Sequence, residues 1–292
     1  EEFSMPIRIL AIGDIVGRRS VRYLGEQLRR LRDRLGADFT VVNGENAADI
    51  HGIAVQDAEA ILEAGADLIT LGNHAFGQRD IGHFLDDRPD RIIRPANFPA
   101  LCPGAGWTFA DVHGRRMLCI NLSGTVHMDE LDNPFTVAER ILAAEKGRYD
   151  IAMLDFHAEA TSEKMAMGRF LDGRVQVVFG THTHVATADE AILPGGTGYI
   201  TDIGMTGPVG GVIGTDTRAV LYRMTTRMPT RFSVAEGAVE GHGALFTLAD
   251  AGTPKNRPDI NGMIRALSAG DLDGVAARLC NVFEEFLPEE YH

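Results

Sequence analysis

The sequence predicts an α/β layered fold. Short apolar runs of strand length alternate with segments whose apolar residues recur at helical spacing, and no low-complexity linker interrupts the 292 residues. The first run, Ile7 to Asp14, ends in a glycine turn, and Val21, Leu24, Leu28, Leu31 and Leu35 then follow at helical spacing. That is one βα unit. The pattern repeats with a strand from Phe39 to Val42, a helix around Ala58 to Ala64, a strand from Leu68 to Leu71, a helix from Asp80 to Leu85 and a strand at Ile92 and Ile93. Trp107 to Leu122 reads as a hairpin turning at His113 and Gly114. A helix beginning near Pro134, a strand from Ile151 to Phe156, a helix from Glu163 to Leu171 and a strand from Val175 to Phe179 follow. Beyond them Gly195 to Gly214 is glycine-rich. Ala219 to Met224 alternates like antiparallel strand, and Asn261 to Leu287 is expected to close the fold with one or two helices. A single domain over residues 5–292 is expected, with Glu1 to Ser4, ahead of Met5, as a cloning remnant.

Composition narrows the function. Lys and Arg total 28 against 41 Asp and Glu, a net charge of -13, which argues against non-specific grip on long nucleic acids or anionic membranes. A phosphate-bearing substrate would need local positive charge, which bound metal supplies. Cys102, Cys119 and Cys280 are widely spaced without a CxxC pair, and read as buried thiols of a reducing cytoplasm. No stretch approaches the roughly 18 apolar residues of a membrane helix, and the amino terminus shows no basic-then-apolar signal region. The expected location is cytoplasmic.

Five segments carry polar, metal-competent residues where an apolar strand stops: Gly13-Asp14, Gly44-Glu45-Asn46, Gly72-Asn73-His74, Phe156-His157 and Gly180-Thr181-His182-Thr183-His184. A lone Asp or Asn after a strand is ordinarily a turn or a cap, and a lone His a solvated side chain. Five such ends together describe one site, because strand ends in open α/β sheets converge on one edge. Carboxylates, amide oxygens and imidazoles without thiolate suit manganese, iron or zinc. A carboxylate bridging two ions roughly 3.5–4 Å apart lets one activate water while both polarise a phosphoryl group, and Glu45 is the expected bridge.

Gly13-Asp14, Gly72-Asn73-His74 and Gly180-Thr181-His182-Thr183-His184 resemble the ordered signature of the calcineurin-like metallophosphoesterases. The common pattern of that superfamily has Asp-x-His on the first strand and Gly-Asp on the second. This chain has Asp14-Ile15-Val16 and Gly44-Glu45-Asn46, and Val16 cannot bind a metal. Those departures, with Gly204-Met205-Thr206-Gly207-Pro208 and Asp132-Asn133-Pro134-Phe135, resemble the bacterial YmdB-like phosphodiesterase subfamily through nearly the whole chain. The resemblance implies a four-layer αββα sandwich with mixed sheets. It implies one divalent ion on Asp14, Glu45, Asn46 and His184 and a second on Glu45, Asn73, His157 and His182, with iron or manganese expected and zinc as an alternative. It also implies hydrolysis of cyclic nucleotides and other small phosphodiesters, with His74 facing the substrate. There a cationic imidazole can stabilise developing charge or protonate the leaving alkoxide, unless His74 merely props a ligand through a hydrogen bond.

Other candidates are weaker. His51, His83, His113 and His242 read as solvated, whereas His127 and Met128 could border the substrate pocket. The glycines from Gly195 to Gly214 read either as tight turns or as backbone open to phosphate, and Arg29, Arg30, Arg32 and Arg34 as a solvated helix face. The alternative is a nuclease acting on RNA or short oligonucleotides; it would want a basic track and stacking aromatics, against which one Trp, five Tyr and the charge deficit speak, and a short oligonucleotide stays open as substrate. A regulatory protein keeping metal for stability would show no turnover. Homo-oligomer formation is left open.

Overall fold

A computed structural model describes residues 6–49, 51–248 and 263–269. The strands are β1 Ile7–Ile12, β2 Asp14–Ile15, β3 Phe39–Asn43, β4 Leu68–Thr70, β5 Ile92–Ile93, β6 Trp107–Val112, β7 Arg115–Ser123, β8 Ile151–His157, β9 Val177–Thr181, β10 Ala191–Ile192, β11 Gly198–Ile200, β12 Met205–Pro208, β13 Val239–Leu248 and β14 Met263–Ala269. The helices are α1 Gly17–Leu35, α2 Val55–Ala64, α3 Ile81–Asp87, α4 Pro134–Ala144, α5 Thr161–Leu171 and α6 Thr217–Thr226. They build two mixed sheets. One runs β2-β12-β13-β1-β3-β4-β5 with β14 beside β13, the other β10-β11-β9-β8-β7-β6.

Strand alternation explains why the sheets stack. Ile9 and Ala11 of β1 point into the core shared with Ile151 and Met153 of β8, whereas Leu10 and Ile12 face α1 and α2. On the second sheet Ala152, Leu154 and Phe156 face the opposite way, into the core that holds Val137 and Ile141 of α4 and Met167 and Leu171 of α5. Strands buried on both faces read as continuous apolar runs. The result is the four-layer αββα sandwich with mixed sheets.

Four expectations change. The run from Ile7 to Asp14 is two strands, because Gly13 passes so close to the Gly204 carbonyl that a Cβ there would overlap it, and Asp14 then pairs with Met205 instead. Ala219 to Met224 lies in α6, not in strands. Asp216 accepts a hydrogen bond from the Ala219 N–H at 3.0 Å and starts a helix that outweighs the β-prone composition. Within Asn261 to Leu287, Met263–Ala269 is a strand, not helix. It pairs along Gly241–Thr247, an edge that β12 leaves open because it pairs β13 only at Val239 and Glu240, and the remainder of that segment lies outside the described residues. Finally, the arginine face of α1 is not wholly solvated, since Arg29 donates to the Glu63 carbonyl and Arg32 to that of Gly65, capping the end of α2.

The hairpin turns at His113 and Gly114, both at positive φ, as a two-residue turn requires. Cys119 is buried and its thiol is pushed up by that burial, Cys102 is only half-buried, and Cys280 lies outside the described residues. No helix among the described residues is long and apolar enough to cross a membrane.

Candidate metal centre

β1, β3 and β4 are mutually parallel, as are β7, β8 and β9, so each set delivers its carboxyl ends to one edge. The first sheet brings Asp14, Glu45, Asn46 and Asn73, and the second brings His157, His182 and His184. Sheet stacking puts both sets in one place.

Three side chains crowd a single imidazole nitrogen. His157 Nε2 lies 3.0 Å from Glu45 Oε1, 3.1 Å from Asn73 Oδ1 and 3.0 Å from His182 Nδ1. One proton can satisfy one of these contacts, whereas a cation satisfies all of them, and Glu45, His157 and His182 form a compact cluster of metal-competent atoms. Beside it, Asp14 Oδ1 and Asn46 Oδ1 are buried without hydrogen-bond partners. Orphaned buried oxygens are costly unless something else fills the space. His184 Nε2 sits 3.9 Å from Asp14 Oδ1 and 3.3 Å from Asn46 Nδ2, while Asn46 Nδ2 also lies 3.2 Å from Glu45 Oε1. A half-turn of the Asn46 amide exchanges its nitrogen and oxygen. The donor set therefore fits metal binding, with Glu45, His157 and His182 at its centre.

The electrostatics follow from burial and proximity. Burial alone would raise the Glu45 carboxyl, yet the adjacent His157 imidazole and the His74 amide hold it down at about 2. Burial raises Asp14 to about 6, although His184 and His157 oppose the shift. Burial pushes His182 down to about 3, reinforced by His157. Burial would also lower His157, but Glu45 and Asp14 lift it to about 9.

Support for the ligands comes from residues that strand ends alone did not announce. Asp155, wholly buried on β8, accepts from the Asn43 amide at 3.0 Å, the Thr181 hydroxyl at 2.7 Å and the Thr70 hydroxyl. With its single proton spent on Asp155, the Thr181 hydroxyl oxygen accepts from His157 Nδ1–H at 2.9 Å and so aims Nε2 at Glu45. His182 and His184 stand at φ 101 and 65, which non-glycine residues seldom adopt. Asp202 pins the intervening Thr183 through its N–H at 3.1 Å and hydroxyl at 2.8 Å, and is itself anchored by buried Lys164 at 2.6 Å. Glu159 pairs with His182 Nε2 at 3.1 Å, and the Ile213 carbonyl accepts from His184 Nδ1 at 2.9 Å. An acidic residue inside an apolar strand, Asp155, was the available sequence signal; Lys164 and Asp202 gave none.

His74 lines the adjoining cavity of about 310 Å³ together with Glu45, Asn46, His182 and His184. Its backbone N–H donates to Glu45 Oε2 at 3.2 Å. Burial lowers its imidazole, so the neutral ring prevails at neutral pH and the cationic form expected from the sequence needs an anion alongside. His51 is exposed, as expected, and its ring also lies tilted against that of His74, with centroids 4.2 Å apart, where it lines the cavity. His113 is exposed and paired with Asp38, and His242 is half-buried on β13. His127 and Met128 are not part of this lining. Met128 instead packs on the α4–α5 core.

Gly72 shows how tightly the centre is built. A Cβ there would overlap both Glu45 Oε2 and the His157 ring. Gly72→Ala is therefore expected to fold but to bind at most one metal ion per chain, read by elemental analysis; full occupancy would show that the two side chains have room to shift.

The family model for YmdB-like proteins matches residues 10–257. The chain belongs to the YmdB-like family. Among curated relatives, a 2′,3′-cyclic-nucleotide 2′-phosphodiesterase of Bacillus subtilis is 44% identical over 244 residues, 84% of this chain and 92% of that protein. A solved phosphatase of Mycoplasma pneumoniae superposes with a TM-score of 0.82 at 30% identity, covering 92% of this chain and 96% of its own. A hypothetical protein of Thermus thermophilus gives 0.80 at 37% identity, covering 90% and 99%.

Proposed function

We propose that this protein is a dinuclear metal-dependent phosphodiesterase acting on small phosphodiesters, cyclic nucleotides first among them. It is an enzyme, a phosphoric diester hydrolase, in keeping with its family and with the Bacillus subtilis phosphodiesterase 44% identical to it. The observation that carries the metal assignment is the convergence of Glu45, Asn73 and His182 on His157 Nε2 beside the orphaned Asp14 Oδ1. On this reading Asp14, Glu45, Asn46 and His184 hold one ion and Glu45, Asn73, His157 and His182 the other. Nitrogen and oxygen donors favour iron or manganese, with zinc as the alternative. The ions supply Lewis acidity toward phosphoryl oxygens and a hydroxide at neutral pH.

The chain's own residues do the rest. Thr181 and Asp155 keep His157 in one tautomer, the Ile213 carbonyl does so for His184, and Glu45 carries the charge shared by both sets. His74 presents its imidazole to the cavity, where an anionic phosphate beside it raises its proton affinity and lets it protonate the leaving oxygen. The acidic chain keeps long nucleic acids away, so the substrate is small.

Protein purified without added metal, then reconstituted with manganese or ferrous iron, is expected to hold two ions per chain and to lose activity with chelator. It should cleave cyclic nucleotides or bis-aryl phosphates faster than nucleoside monophosphates. One ion at saturation, or monoesters turned over at least as fast as diesters, would overturn the assignment.

A further inference from the structure

We propose that Ile213 and Phe232 form an apolar nucleobase-binding surface in the cavity beside the metal ligands, an inference that rests on the phosphodiesterase reading and extends it to what the substrate carries. Ile213 and Gly214 are the tip of a two-residue turn. Val212 and Thr215 exchange both backbone hydrogen bonds at 2.9 Å, and the tip residues have φ 47 and 86. Turns of this kind take Asn, Asp or Gly, and a β-branched residue at positive φ is strained. Such strain persists only where the surroundings hold it, and it clusters at functional sites. Here Thr215 bridges to Val234, and the Ala235 N–H donates to the Gly214 carbonyl at 2.9 Å, so the turn cannot relax.

The strained residue does two things. Its carbonyl accepts from His184 Nδ1, and its side chain, 51% exposed, lines the metal cavity, as does Phe232, 39% exposed. Asparagine could supply the carbonyl equally well without strain, so the apolar side chain is what the turn retains at a cost. Ile213, Phe232 and Val234 give the cavity apolar lining, while Glu45, His182 and His184 give it polar lining. With a phosphodiester at the polar lining, the apolar surface of Ile213, Phe232 and Val234 is available to the group it esterifies. A flat, uncharged ring fits that chemistry, and Ile213, Phe232 and Val234 carry no side-chain polar group to read a base edge. The surface therefore takes nucleobases by stacking and accepts purines and pyrimidines alike.

The test compares 2′,3′-cyclic AMP and 2′,3′-cyclic CMP with ribose 2,3-cyclic phosphate, which lacks a base, on metal-replete protein. Wild type should favour both nucleotides in kcat/KM by roughly 10–100-fold, the range for stacking of one base. Phe232→Ala and Ile213→Asn should each reduce that preference about tenfold, chiefly through KM, whereas Phe232→Tyr should keep it. A purely structural role for Ile213 predicts the opposite, because asparagine suits the turn better. A wild-type preference near one, or variants that slow all three substrates in equal proportion, would overturn the nucleobase surface while leaving phosphodiester hydrolysis intact. Calorimetric binding of adenosine 3′-monophosphate against ribose 3-phosphate separates the two claims: base-dependent binding without turnover on any diester keeps the nucleobase surface and removes the hydrolase reading.

Discussion

Glu45→Gln protein is expected to retain fewer than two metal ions per chain and to turn over phosphodiesters roughly 10³-fold more slowly, since a catalytic metal supplies several kcal/mol and each 1.36 kcal/mol is tenfold in rate. Glu45 Oε1 faces His157 Nε2 at 3.0 Å and Asn46 Nδ2 at 3.2 Å, so on the proposed two-ion reading its charge would serve both ligand sets. Glutamine keeps the shape and an oxygen to accept from the His74 N–H, but not the charge. The fold should therefore survive. Alanine in its place also leaves that buried amide without a partner, adding about 1–3 kcal/mol of destabilisation. Elemental analysis, circular dichroism and turnover on one diester, measured together, decide the matter. Two tightly held ions with near wild-type activity would remove Glu45 from the centre.

His74→Ala should behave differently. Both ions are expected to remain, while turnover falls roughly 10²–10⁴-fold, the range for loss of a general acid or of charge stabilisation. The physical basis is that His74 touches Glu45 through its backbone N–H, which alanine also has, while its ring makes only a long 3.4 Å contact to Asn73 Nδ2 and lines the cavity beside His51. If the ring merely props a ligand, metal affinity instead falls about 10–100-fold and excess metal restores the rate. Titrating the variant with manganese distinguishes the two outcomes. Near wild-type turnover at saturating metal would show that His74 takes no part in the chemistry.

The neutral state of the free His74 ring adds a sign to the pH profile. Burial lowers its proton affinity from the ordinary histidine value, which favours the neutral ring in the free protein. If His74 is the acid, kcat/KM falls as pH rises through its lowered value, and His74→Ala loses that limb. Catalysis by the complex extends to higher pH only as far as the bound phosphate raises the ring.

Much of the molecule could be read from local pattern. Strand runs such as Phe39 to Val42 and the helical spacing from Val21 to Leu35 depend on side-chain periods of two and 3.6, and both lie where they were expected. The polar strand ends were legible for the same reason, since a Gly followed by Asp, Asn or His interrupts an apolar run whatever lies around it. Local reading failed where partners decide. Ala219 to Met224 has β-prone residues but an aspartate cap that starts a helix, and Met263–Ala269 is a strand because β13 offers an open edge.

Residue identity at the strand ends carried the family resemblance, and with it the four-layer class and the candidate ligand types. That these ends meet is a property of tertiary packing. Asn43 and Asp155, which hydrogen-bond inside the site, are 112 residues apart, and His182 reaches back 168 residues to Asp14. Stacking of the two sheets brings them together, and no local period encodes it. The same holds for the Lys164 and Asp202 pair that supports the His182 and His184 turn, and for His51 against His74. Each is a contact between segments placed by burial of the cores on either side of the sheets, so its chemistry exists only once those cores have formed.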